Sequence, residues 1–303
     1  MADSIKINII NNEFSNASIS SAIIIISCNH RKISDPILID NVIFQCECTA
    51  IYIYKTDGYV LINRCNFENL EMISIHSQQL SKLSVIGCNF NNCCNKCIFI
   101  NDIVSEANIE SCIFSDCYTY KDDFVVNIKN FQCLFYNNSV AFSSYKKSMC
   151  GIRIHNHGDI NITNNHFINN YISVYITEND IIYDNTSKIV ICNYNTIENF
   201  GNLIITKTNL IEFNHNTIKN FKTNTSIIQL FLDNTITFYD GFTITNLTLL
   251  NCSSSQMDVG KSGIFFRFLN REGKLILKDC TFIDNIAARE YNIGGYGGAF
   301  GIG

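Results

Sequence analysis

Apolar and polar residues alternate in short stretches along the whole chain, and one ten-residue form of that alternation recurs eleven times. Its order is apolar, any, apolar, any, any, Cys or Asn, any, Phe or Ile or Leu, any, Asn or Asp, clearest at residues 60–69 and 275–284. With the eighth position as anchor, the repeats centre on Phe14, Phe44, Phe67, Phe90, Phe114, Phe135, Phe167, Ile197, Ile218, Leu249 and Phe282, at spacings of 21 to 33 residues. A period in this range marks a solenoid, whose repeats bury their apolar face only by stacking on one another.

Alternation of period two means strands, not helices. Five and seven residues before the anchor the chain is apolar, as at Ile7 and Ile9, Ile37 and Ile39, Ile160 and Ile162, and Phe242 and Ile244, with Asn130 the one break at the fifth position. A third apolar run follows most decamers, at 22–26, 50–54, 72–75, 97–100, 172–176, 203–206, 227–232 and 263–268. Three short strands per turn predict an all-β fold, a right-handed parallel β-helix with three sheets and about eleven coils, whose rungs would stack every ~4.8 Å. No change of character interrupts the repeat, so residues 1–303 read as a single continuous domain.

The corners have their own signature. Two residues after the anchor stand Asn16, Asn69, Asn92, Asn137, Asn169, Asn199, Asn220 and Asn251, with Asp116 and Asp284 in two repeats and Cys46 in one. Asparagine tolerates a left-handed backbone, and its amide both donates and accepts, so these residues are expected to form a structural ladder up the rod. Two residues before the anchor stand Cys65, Cys88, Cys112, Cys133 and Cys280, or Asn12, Asn165, Asn195 and Asn216, with Val42 and Leu247 completing the set. The cysteines there read as small buried apolar residues.

Other cysteines among the fifteen carry more specific expectations. Cys93 and Cys117 share a corner position three residues past their anchors, which makes them a candidate disulfide in an oxidising compartment. Cys94 and Cys97 have the spacing of half a zinc site, but no second pair matches it, so neither a metal nor a cofactor is expected. The net charge of −5, without a cluster of Lys or Arg, argues against nucleic acid as a partner. No stretch has the length of a membrane span or the form of a signal peptide. The pattern starts at Ile7 and breaks off within residues 294–303 without polar caps, so a piece of a longer protein is expected, with signal and anchor outside it.

Near its end the chain carries Phe282-Ile283-Asp284-Asn285 and then Gly297-Gly298-Ala299-Phe300, and further Phe-x-x-Asn matches occur at residues 135–138 and 167–170. This pair of motifs resembles the repeats of the polymorphic outer-membrane proteins, and the ladder as a whole resembles the β-helices of pectin-lyase-like proteins. The first resemblance implies a cell-surface or secreted adhesin-like rod without enzymatic activity, with a host-cell or matrix protein or a glycan as partner.

Many β-helices cleave acidic polysaccharides, and the candidate residues for such chemistry are Asp122, Asp123, Arg153, His155, His157 and Asp159. A polygalacturonase-like site would need an Asn-Thr-Asp ahead of Asp122 and a basic pair after the histidines, whereas Arg153-Ile154 precedes them. No catalytic residue is therefore expected. Tyr52, Tyr54, Tyr175 and Phe266 fall at outward positions and form a candidate aromatic surface, and the sequons at residues 137–139, 185–187 and 224–226 would admit glycans in a secretory pathway. The leading expectation is a non-enzymatic β-helical binding rod. A glycan-cleaving or glycan-binding β-helix is the alternative, and an internal scaffold the third.

Overall fold

The computed structural model describes residues 7–17, 22–28, 36–119, 123–143, 150–156, 158–178, 190–199, 202–208, 210–223, 227–232, 242–256, 264–268, 275–289 and 300–302. Asp122, His157, the sequons at 185–187 and 224–226, and Gly297 to Ala299 lie outside them. The described residues form an all-β parallel solenoid without a helix. One face is an eleven-stranded sheet running from Glu13–Ala17 to Thr281–Ile283. Along it Phe14, Phe44, Phe67, Phe90, Phe114, Val140, Phe167, Ile197, Ile218, Leu249 and Phe282 stand in register, pointing inward.

Consecutive phenylalanines stack ring on ring at 5.5, 5.0, 4.6 and 4.8 Å from Phe14 to Phe114. Each such pair adds about 0.5–1.5 kcal/mol beyond the burial of its area. The expected anchor Phe135 does not belong to this row. It pairs with Ile109 and Ile162 on the preceding face, and Val140 takes the rung. The physical reason is a compensation in volume. Val140 is too small to bridge the rings above and below it, and Phe135 reaches in from the neighbouring face to lie 6.4 Å from Phe114 and 6.3 Å from Phe167.

With the register moved by five, two further expectations are corrected. Cys133 pairs with Ala107 and Ile160, and Asn138 holds the position two residues before the anchor. Asn137 leaves the ladder expected after the anchor and stands at the corner before it, with φ 55°. Asn16, Asn69, Asn92, Asn169, Asn199, Asn220 and Asn251 occupy the corner after the anchor, all at positive φ. Amides link them across turns, Asn92 donating to Asn69 at 2.8 Å, Asn199 to Asn169 at 3.0 Å and Asn251 to Asn220 at 3.1 Å.

A second amide ladder lies inside. Asn138 Nδ2 donates to Asn165 Oδ1 at 3.1 Å, Asn165 to Asn195 at 3.0 Å and Asn195 to Asn216 at 3.1 Å. The same three oxygens accept the backbone N–H of Asn138, Asn165 and Asn195, so the buried polar atoms satisfy one another.

The other two faces differ from three separate sheets. Thr49–Asn63, Ile75–Ile86, Ile98–Glu110 and Phe124–Tyr136 run from one face into the next without a break, which merges the two faces into one sixteen-stranded sheet. The bend is taken up by register shifts, between Thr56 and Tyr59 and between Asn101 and Glu106. Bulges of this kind turn a strand without ending its hydrogen bonding.

Candidate functional site: an outward aromatic and polar row

The merged sheet exposes one face of its strands. In Ile51-Tyr52-Ile53, Ile75-His76-Ser77, Ile98-Phe99-Ile100, Val126-Asn127-Ile128, Ile152-Arg153-Ile154 and Val174-Tyr175-Ile176 the flanking residues are buried, so the middle one is turned to the outer side of the sheet, where Asn127 is covered over and the others are partly exposed. Parallel register then places Tyr52, His76, Phe99, Asn127, Arg153 and Tyr175 in one row along the rod. The rings of Tyr52 and His76 lie 4.9 Å apart, and those of His76 and Phe99 5.0 Å. Tyr52 donates its hydroxyl to Gln78 Oε1 at 3.2 Å, and the Gln78 amide lies 3.2 Å from His76 Nε2. Lys96 sits 4.3 Å above the Phe99 ring, and Arg153 lies between Phe124 and Tyr175 at 5.7 and 5.4 Å. Such cations over ring faces are held by the ring quadrupole.

Of the expected aromatic surface, Tyr52 and Tyr175 share this row. Tyr54 is beside it with its ring 6.2 Å from Tyr52. The backbone register pairs Phe266 with Leu230, and the Phe266 side chain lies outside the described residues.

Midway along the row is a polar patch. Asp123 accepts hydrogen bonds from Lys96 at 2.9 Å, from the Phe124 N–H at 2.8 Å and from Asn127 Nδ2 at 3.3 Å. Burial alone would raise its pKa, but Lys96 and the two N–H donors hold it below the ordinary carboxylate value. Burial, then the charges of Arg153 and Lys129, push His155 down to about 4, so its ring is neutral at pH 7. Burial followed by Lys96 also lowers His76. Three atoms of this patch, Asn127 Oδ1, Arg153 Nε and His155 Nδ1, are buried without a hydrogen-bond partner. Orphaned buried donors and acceptors are rare and costly in folded proteins, and three in neighbouring positions mark this patch as locally unfavourable for stability.

The sequence candidates for polysaccharide chemistry are thus partly brought together. Arg153 and His155 point outward two residues apart on Cys150–Asn156, and the Asp123 charge is felt by His155. Asp159 is placed elsewhere, its carbonyl accepting the Cys133 N–H at 2.9 Å. Asn127 and Lys96 were not among the candidates. Their signal is register alone, since Asn127 pairs with both Phe99 and Arg153.

Cys93 and Cys117 carry free thiols, and both are buried. Their sulfurs, with that of Cys97, lie within 4.8 Å of one another. The neighbouring thiols of Cys117 and Cys97 lower the pKa of Cys93, while burial raises those of Cys97 and Cys117. Cys94, the other half of the expected spacing, is not in this group. The corner cysteines are not mere apolar filler either. Cys65 donates its thiol to Asn63 O at 3.3 Å and Ile39 O at 3.7 Å, as Asn165 donates its amide to Thr163 O at 3.1 Å and Phe135 O at 2.8 Å in its own turn.

No protein-family model matches the chain, and neither a curated protein nor a solved structure matches it.

Proposed function

We propose that this chain is a non-catalytic binding rod that holds an extended carbohydrate along its outward row, as part of a surface-exposed or secreted adhesin-like protein. The observation that carries this reading is the run Tyr52, His76, Phe99, Asn127, Arg153 and Tyr175, with the partly exposed polar side chains of Gln78 and Lys96 beside it. Aromatic rings offer faces to the C–H surfaces of sugars, and the partly exposed side chains of Gln78, Lys96 and Arg153 offer partners to hydroxyls. Both are repeated at the spacing of the rungs. A row of this kind suits a linear chain better than a compact ligand.

The test is binding to an array of immobilised glycans by the wild-type protein and by Tyr52→Ala/Phe99→Ala. Truncating two contact aromatics at about 1 kcal/mol each should weaken binding by at least tenfold. The melting temperature should stay within a few degrees, since both side chains are only half-buried. Equal binding by the two proteins would refute the reading. One observation favours a second: the charges of Arg153 and Asp123 both act on His155 on the same surface. Release of reducing ends or unsaturated products from a bound polysaccharide would move the assignment to a glycan-cleaving enzyme.

A further inference from the structure

The cysteine group in the core is not used by the binding face. Cys93 and Cys117 stand at the same corner of successive turns, bonded through Tyr118 N–H to Cys93 O at 3.0 Å, and Cys97 lies immediately before Ile98–Glu110. Cys93 donates to Phe67 O at 3.2 Å and Asn91 O at 3.5 Å, and Cys117 to Phe90 O at 3.3 Å and Ser115 O at 3.4 Å, like the other corner thiols. Cys97 is different, because its hydrogen-bonding neighbours are the two other sulfurs. The Ser74 hydroxyl beside Cys93 is buried and makes no hydrogen bond of proper geometry.

We propose that Cys93, Cys97 and Cys117 form a binding site for copper(I), held by three sulfurs in a trigonal plane. Soft thiolate ligands select copper(I), zinc and iron–sulfur centres over hard cations. Zinc in structural sites takes four protein ligands almost without exception. Among the described residues no fourth Cys, His, Asp or Glu joins these three. With metal–sulfur bonds of about 2.3 Å, three sulfurs in a plane stand about 4.0 Å apart. The group is already within 4.8 Å, so it closes on the ion by shifts of less than the difference. As sulfur–metal bonds form, thiol protons leave to solvent and the metal keeps its oxidation state.

The experiment loads fully reduced protein anaerobically with copper(I), supplied as its acetonitrile complex, in competition with the chromogenic chelator bicinchoninate. One ion per chain is expected, with three sulfur neighbours at about 2.3 Å by X-ray absorption and a higher melting temperature on loading, because three preassembled sulfurs hold the ion more tightly than the scattered thiols of the unfolded chain. Cys97→Ser should lower the affinity at least tenfold. Cys65→Ser, at a corner outside the group, should leave it unchanged. Should Cys97→Ser fold poorly, Cys117→Ser and the wild-type shift in melting temperature read the same site. No copper bound at one equivalent, equal affinity in Cys97→Ser and wild type, or tighter binding of zinc in parallel titrations would each overturn the proposal. So would isolation of the protein with Cys93 and Cys117 joined in a disulfide.

Discussion

At the corner before each rung, cysteine and asparagine serve as the same part. Both donate to a carbonyl of the preceding turn and to the carbonyl two residues back, as Cys112 does to Val85 and Glu110, and Asn165 to Phe135 and Thr163. Asparagine oxygens accept from the preceding corner in an unbroken run, Asn138, Asn165, Asn195 and Asn216, while among the cysteines the Cys88 sulfur accepts the Cys65 N–H at a longer 3.4 Å. Asn165→Leu keeps the branched shape but strands the Asn138 N–H and Nδ2, and should cost about 3 kcal/mol. Asn165→Cys retains the donor and should cost about half as much. Denaturant unfolding of the two variants checks the order, and equal losses would contradict the equivalence. The alternation that exposed these positions is readable in the sequence. The hydrogen-bonding use of a thiol is not, because composition records cysteine only as small and apolar.

At the scale of strands, the sequence misplaces one turn for a definite reason. Cys133-Leu134-Phe135-Tyr136-Asn137 imitates the end of the repeat, with cysteine, phenylalanine and asparagine at its spacings, so Phe135 looks like an anchor. Residues 133–142 keep the apolar and asparagine positions of the pattern with Val140 as a smaller anchor and Phe142 where Asn or Asp is usual, and the fifth-position break at Asn130 then disappears. The outward row was legible only at its individual tyrosines. That Asp123, Asn127, Arg153 and His155 meet depends on loop lengths between turns, which local pattern does not encode. Their meeting has a pH signature. His155 in the folded protein is depressed to about 4, against about 6.5 in an unfolded chain. Between those values the unfolded chain takes up a proton that the folded one refuses, so this contribution to stability is full above about pH 6.5 and is lost as pH falls towards 4. Discounted for partial exposure, the loss between pH 7 and 5 should be about 1 kcal/mol, and His155→Gln should flatten the dependence in that window. Parallel slopes for variant and wild type would show that His155 is not held neutral.

For the molecule as a whole, stacking converts a weak sequence period into long straight rows. The inward rows make the core, as in the phenylalanine stack and the inner amides, and the outward row makes a surface that no single turn possesses. Tyr52 to Tyr175 covers six successive strands, about 24 Å at the usual rung spacing. A ligand bound along such a row should gain affinity with its own length until it spans it. The most direct measurement is therefore calorimetric titration with a size series of oligosaccharides cut from whichever polysaccharide the array identifies. Affinity should climb with each added residue and level off near 24 Å of ligand, with the gain removed by Tyr52→Ala/Phe99→Ala. Affinity that is flat from the disaccharide upward would mean a single local site and contradict the extended face.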